Sequence, residues 1–122
     1  MSLVRSRSVP TPSAAFGALL CALSIGLAAY AAHGVANAKA QSFLNTACLY
    51  AFGNGVALAA LAPRAARALG RWALRLLLVG TLAFSGSLAL NVLAGTPTTL
   101  APAGGMAMIL AWLLWAIDTL RR

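Results

Sequence analysis

A chain of 122 residues that is 61% hydrophobic and 8% charged, with a mean hydropathy of +0.88, has too little polar surface for a water-facing globule, where about 25% charged residues is usual. Lipid is the solvent this composition expects, and the length allows a single domain of a few spans. Nine Lys and Arg against one acidic residue give a net charge of +8, but they fall between apolar runs, without the aromatic-interleaved basic stripe of a nucleic-acid groove.

Residues 1–13 form a basic tail carrying Arg5 and Arg7. The first apolar run, 14–32, leads into Ala36-Asn37-Ala38, which has the small-residue look of a signal-peptide cleavage site. The run is longer than the usual signal core of about 7–15 residues, so it is read as a retained span. The Arg- and Ser-rich tail also fits a mitochondrial transit segment. His33, the single histidine, follows the run, and Gly34 stands where a left-handed helix cap is common.

The remaining runs are 43–62, 72–93 and 102–120. Each is long enough for a hydrocarbon core of about 30 Å. All four are continuous rather than alternating, which predicts helices, because in lipid only helices and closed barrels satisfy their backbones. The connection before the second span carries Lys39, and the one after it Arg64, Arg67 and Arg71, with Arg75 a turn into the third span. The connection 94–101 has no basic residue, and the chain closes on Arg121 and Arg122. Every basic residue except Lys39 thus falls on one side, the cytoplasmic side by the positive-inside rule. The expected fold is an all-α integral membrane bundle of four transmembrane helices over 14–120, with both termini (1–13 and 121–122) in the cytoplasm.

Cys21 and Cys48 fall at depths about 12 Å apart at 1.5 Å per residue, too far for a disulfide, whose Cα atoms lie within about 7 Å. Asp118 stands near Arg121 and Arg122, and an exposed pair there would contribute little. Helices in lipid associate through close packing of small residues and interhelical hydrogen bonds. Gly17, Cys21, Ser24 and Ala28 put a small-residue stripe on the first span; Gly80, Ala83, Ser87 and Asn91 do so on the third. Gly86, Gly104 and Gly105 add further contact positions. Asn54 falls in mid-membrane, where its amide must find partners in the bundle interior, and Ser85, Ser87 and Asn91 are the candidates. A packing role is the plainer reading of this polar set, and a lining for a solute or ion path the sharper one. His33 falls at the outer interface as a polar helix end, and no second histidine exists to complete a metal or haem site.

The order of "AAYAAHG" (28–34), "FLNTACLY" (43–50), "FSGSL" (84–88) and "APAGG" (101–105) followed by Trp112 resembles the domain of unknown function 423 family. Its mitochondrial relatives are called transmembrane protein 256. The resemblance spans about residues 14–115 and implies a small integral membrane protein of about four spans with no assigned activity. Family members resemble Tyr-Gln-x-x-His in the second span, where this chain has Tyr50-Ala51-Phe52-Gly53-Asn54. Ala89 and Ala101 likewise stand at positions where the family has Tyr and Thr. If the family's two histidines held a cofactor, Asn54 removes one ligand here, since asparagine can hydrogen-bond but cannot ligate haem iron.

No nucleophile–base pair shares a depth, so no enzyme activity and no cofactor are expected. The expected function is a structural or accessory membrane protein packing with itself or a larger membrane complex. The alternative is an oligomeric small-solute or ion transporter or channel around Asn54. The expected partners are the bilayer, further copies or other membrane subunits, and no nucleic acid. The expected location is a bacterial inner membrane, or alternatively the mitochondrial inner membrane.

Overall fold

The computed structural model describes residues 11–121. The basic residues Arg5, Arg7 and Arg122, and most of the predicted tail, lie outside the described residues. Within them the chain forms α1 (Pro12–Gly34), α2 (Ala38–Leu61), a short 3-10 turn (Ala62–Arg64), α3 (Ala68–Ala94) and α4 (Leu100–Leu120). All four α-helices are long and apolar enough to cross a membrane. Each starts before its predicted span, because helical backbone continues into the interface where side chains turn polar, and α2 stops at Leu61, one residue short, where the 3-10 turn begins. The segment before the second span is continuous with it. It is the first turn of α2, started by Asn37, whose side chain accepts a hydrogen bond from the Ala40 N–H at 2.9 Å and satisfies one orphan donor of the helix start.

The helix ends differ from expectation at Gly34. That residue lies inside α1, and the chain leaves through Val35 in an extended conformation. The side chain of Gln41 then donates to the carbonyls of Ala31 and Val35, so a tertiary contact closes α1 without a left-handed cap. Gly95, after α3, is the position with positive φ among the described residues (φ 74°). Its N–H donates to Asn91 O at 3.0 Å.

The helices pack mainly in chain order, α1 on α2, α2 on α3 and α3 on α4, with a lesser contact of α1 on α3. Antiparallel packing gathers Pro12, Leu61, Ala68 and Leu120 at one end, here called the arginine-rich end. His33, Asn37, Gly95 and Thr99 mark the other. The interior nearest the arginines is built by Leu20, Leu58, Leu74, Leu77, Met108 and Ala111. Toward the other end it narrows to Ala31, Leu44 and Ala89 on one side and Ala47, Leu88 and Ala101 on the other.

Two glycine crossings bring the backbones together. A Cβ on Gly17 would lie 2.5 Å from Gly55 O, and one on Gly55 would lie 2.6 Å from Gly17 O. The second crossing repeats this arrangement. A Cβ on Gly104 would lie 2.5 Å from Phe84 N and 2.7 Å from Gly80 O, while one on Gly80 would lie 3.0 Å from Gly104 O. The bundle is therefore two tight hairpins, α1–α2 and α3–α4, joined along α2 and α3. Not every predicted contact glycine takes part. Gly86 has no atom within 4 Å of a built Cβ, and Gly105 meets only the Phe84 ring at 3.7 Å. Ala28 is exposed, and Leu20 and Ala31 take over the buried face of α1.

Asp118 departs most from its sequence reading. Its side chain is 0% exposed, so it is not the exposed group that the sequence suggests. Antiparallel packing delivers it to the start of α3, where a Cβ on Gly70 would lie 2.8 Å from Asp118 Oδ2 and 3.0 Å from the Trp115 ring. A carboxylate is unfavourable at the end of its own helix but favourable at the positive start of the next one. Gly70→Ala should therefore lower stability by about 1–3 kcal/mol through overpacking, read as unfolding in a mixed-micelle denaturant titration. The same methyl at Gly86 should change it by less than about 0.5 kcal/mol.

Candidate functional site

Asn54 is the polar centre of the bundle. It sits on the face of α2 that carries Ala47, Ala51 and Leu58 inward, and it is 7% exposed. Its Nδ2 donates to Thr81 Oγ1 of α3 at 3.0 Å and lies 3.1 Å from Met108 Sδ of α4. Its Oδ1 accepts from Trp112 Nε1, also of α4, at 3.3 Å. Thr81 in turn donates to Leu77 O at 2.7 Å. One amide thus ties three helices together, and its donors and acceptor are engaged within the chain.

The expected partners of Asn54 are placed elsewhere. Ser85 donates to Ala47 O of α2 at 2.8 Å, so it also bridges α2 and α3, but closer to the histidine end. Because the pair is antiparallel, moving along α2 from Ala47 to Asn54 moves back along α3 from Ser85 to Thr81 and Leu77. Ser87 is buried, and its Oγ has no hydrogen-bond partner among the described residues. Asn91 donates to Thr96 O at 2.8 Å and closes the end of α3. Ser24 is buried in α1 but bonds back to Leu20 O at 2.7 Å. The predicted polar set is therefore distributed along the bundle and does not line one path.

Thr81, Met108 and Trp112 escaped the sequence reading as partners of Asn54. A sequence signal for Thr81 existed, since it lies one helical turn before Ser85 on the same face. Met108 and Trp112 carried no such signal, because their roles depend on how α4 is rotated against α2.

A cleft of about 220 Å³ opens beside the cluster, lined by Tyr50, Asn54, Phe84, Gly105, Met108 and Trp112 among others. The Tyr50 and Phe84 rings meet edge-to-face with centroids 5.1 Å apart. Apart from the amide and the ring-borne polar atoms of Tyr50 and Trp112, the lining is apolar, so the cleft suits an acyl chain or a ring better than a hydrated ion.

His33 is exposed at the end of α1. Ala31 packs level with Leu44, which puts Asn54 about 18 Å deeper than His33 at 1.5 Å per residue. Within one chain the two positions that resemble the family's histidines cannot bind a common ion. The cysteines are both free, with Cys48 buried and Cys21 placing its thiol 3.6 Å from Phe52 O.

On the loop-end half of α2, Ser42, Asn45, Thr46 and Leu49 line an open, shallow groove. Asn45 is exposed and has no side-chain hydrogen bond among the described residues. It lies about 10 Å along α2 from Ala38 at 1.5 Å per residue.

Residues 27–105 match the family model described as "Protein of unknown function (DUF423)". The match holds the last third of α1, all of α2 and α3 and the first residues of α4, and so includes both His33 and Asn54. No solved structure matches the chain.

Proposed function

The chain belongs to the DUF423 family of proteins of unknown function, and on that premise we propose that it is a structural or accessory membrane protein. In this reading it packs with itself or with a larger membrane complex and is not an enzyme. The observation that carries the proposal is the Asn54 cluster. A path for a polar solute needs polar groups with free bonding capacity facing it, whereas Asn54 spends its amide on Thr81, Met108 and Trp112.

Association is favoured by the exposed face of α2. The Asn45 amide has both donors and an acceptor and stands exposed near the start of the second span, where it can bond across an interface. A second copy would present the same self-complementary amide at the same depth. The alternative, an oligomeric small-solute or ion transporter or channel, draws on the cleft beside Asn54. By the positive-inside rule the arginine-rich end faces the cytoplasm, in a bacterial inner membrane or, as the alternative, the mitochondrial inner membrane.

The test is native mass spectrometry of the full chain extracted gently from its own membranes at native abundance. The expected result is a multiple of the 12.4 kDa chain mass or a complex with other membrane subunits. A monomer with no associated protein would overturn the proposal. A homo-oligomer that also carries solute flux in vesicles would replace it with the transport reading.

A further inference from the structure

At the arginine-rich end a cavity of about 190 Å³ lies where α1 begins, beside the turn after α2 and the first two turns of α3. Its walls include Pro12 and Ser13 of α1, Ala62 and Ala65 of the connecting segment, and Arg71 and Arg75 of α3. The two arginines stand one helical turn apart, so both guanidinium groups reach the same side of the helix. Arg71 Nη1 donates to Ala66 O at 2.8 Å, and the Arg75 guanidinium lies over the Trp72 ring, 4.8 Å from its centroid.

Both arginines are exposed beside the cavity and can turn toward an anion in it. Arg75 lies about 10 Å along α3 from Ala68 at 1.5 Å per residue, inside a span, where an uncompensated charge is costly. The chain holds one acidic side chain against nine basic ones. That residue, Asp118, packs on Gly70 and is not part of the cavity wall. The positive start of α1 adds to the field at the cavity. The rest of the wall is mixed: Thr11 and Ser13 bring hydroxyls at the start of α1, and Pro12, Ala62, Ala65 and Leu74 are apolar. Paired guanidinium groups favour a phosphate, and an apolar wall beside them at the membrane surface favours one that carries acyl chains.

We propose that this cavity binds the headgroup phosphate of an anionic phospholipid, with Arg71 and Arg75 as its main ligands. The proposal does not depend on whether the bundle associates with a partner. A bound lipid here would join the start of α1 to α3, two helices whose direct contact is slight.

The test uses the full chain, delipidated in neutral detergent and titrated with phosphatidylglycerol or phosphatidylcholine of matched acyl chains, with binding followed by native mass spectrometry. Wild type should retain one phosphatidylglycerol at least tenfold more tightly than phosphatidylcholine. Arg71→Gln and Arg75→Gln should each weaken phosphatidylglycerol about fivefold, and the double variant about 25-fold, as expected for about one arginine's worth of headgroup attraction apiece. Lys39→Gln and Arg121→Gln remove the same charge away from the cavity and should change binding less than twofold.

Equal losses in those controls would reduce the effect to net charge and overturn the site. Equal wild-type affinity for the two lipids would also overturn it. Displacement of the lipid by millimolar inorganic phosphate would reassign the cavity to a free anion. If Arg75→Gln fails to fold, the wild-type comparison of the two lipids and phosphate decides the matter alone.

Discussion

Replacing Gly104 with leucine should break the α3–α4 hairpin, and replacing Gly17 with leucine should break α1–α2. At each position even a Cβ would lie 2.5 Å from a backbone atom of the facing helix, so no rotamer change relieves the overlap and the helices must move apart. In lipid no hydrophobic drive compensates, because separated helices find acyl chains as apolar as each other. Alanine should cost about 1–3 kcal/mol at either glycine, the range for overpacking a filled site. Leucine should exceed it, and in mild detergent the variant should lose its compact fold. The readout is the unfolding midpoint in a mixed-micelle titration followed by circular dichroism and tryptophan emission. Gly26 has nothing within 4 Å of a built Cβ, so Gly26→Leu is the matched control and should stay within about 0.5 kcal/mol of wild type. Equal effects at Gly17 and Gly26 would mean that the crossing does not hold the hairpin.

Asn54→Leu should be the most damaging change among the polar residues. It removes the bonds to Thr81 and Trp112 and the contact with Met108 in a single step. Membrane hydrogen bonds average about 0.6 kcal/mol and reach about 1.7, so the loss should be about 1–3 kcal/mol once the stranded Trp112 N–H is included. Thr81 keeps its bond to Leu77 O, which limits the damage on α3. Trp112→Phe removes the same indole bond, so combining it with Asn54→Leu should cost less than the sum of the two single changes. Additive costs would show that the indole and the amide do not communicate. If Asn54→Leu left stability unchanged and abolished solute flux through vesicles, the amide would belong to a transport path.

The part of the architecture that depends on solvent is legible in the residues alone. Apolar runs of membrane-spanning length predict helices because the backbone has no other partner in lipid, and the four observed helices cover the predicted spans but for Ala62, which opens the 3-10 turn. The order of four short motifs also sufficed for the family. The small residues of the stripes were legible as a class, but not one by one. Composition cannot tell which face of a helix meets a neighbour when that helix is apolar all round. Gly17 and Gly104 therefore stand at crossings, while Gly86, equally plausible as a sequence, faces open space.

The polar partnerships follow from packing and from no local pattern. Asn54 meets Thr81 and Trp112, and not Ser85 or Ser87, because the antiparallel register sets which residues share a depth. Asp118, read as an exposed ion-pair member, is buried because the end of α4 lies against the start of α3 and Gly70 leaves room for its carboxylate. The cavity at Arg71 and Arg75 needs the start of α1, the turn after α2 and α3 at one place, and no local pattern encodes that meeting. Solvent selects the helices through properties that each residue carries alone. Register and rotation are properties of pairs of helices, fixed only once the backbones have packed.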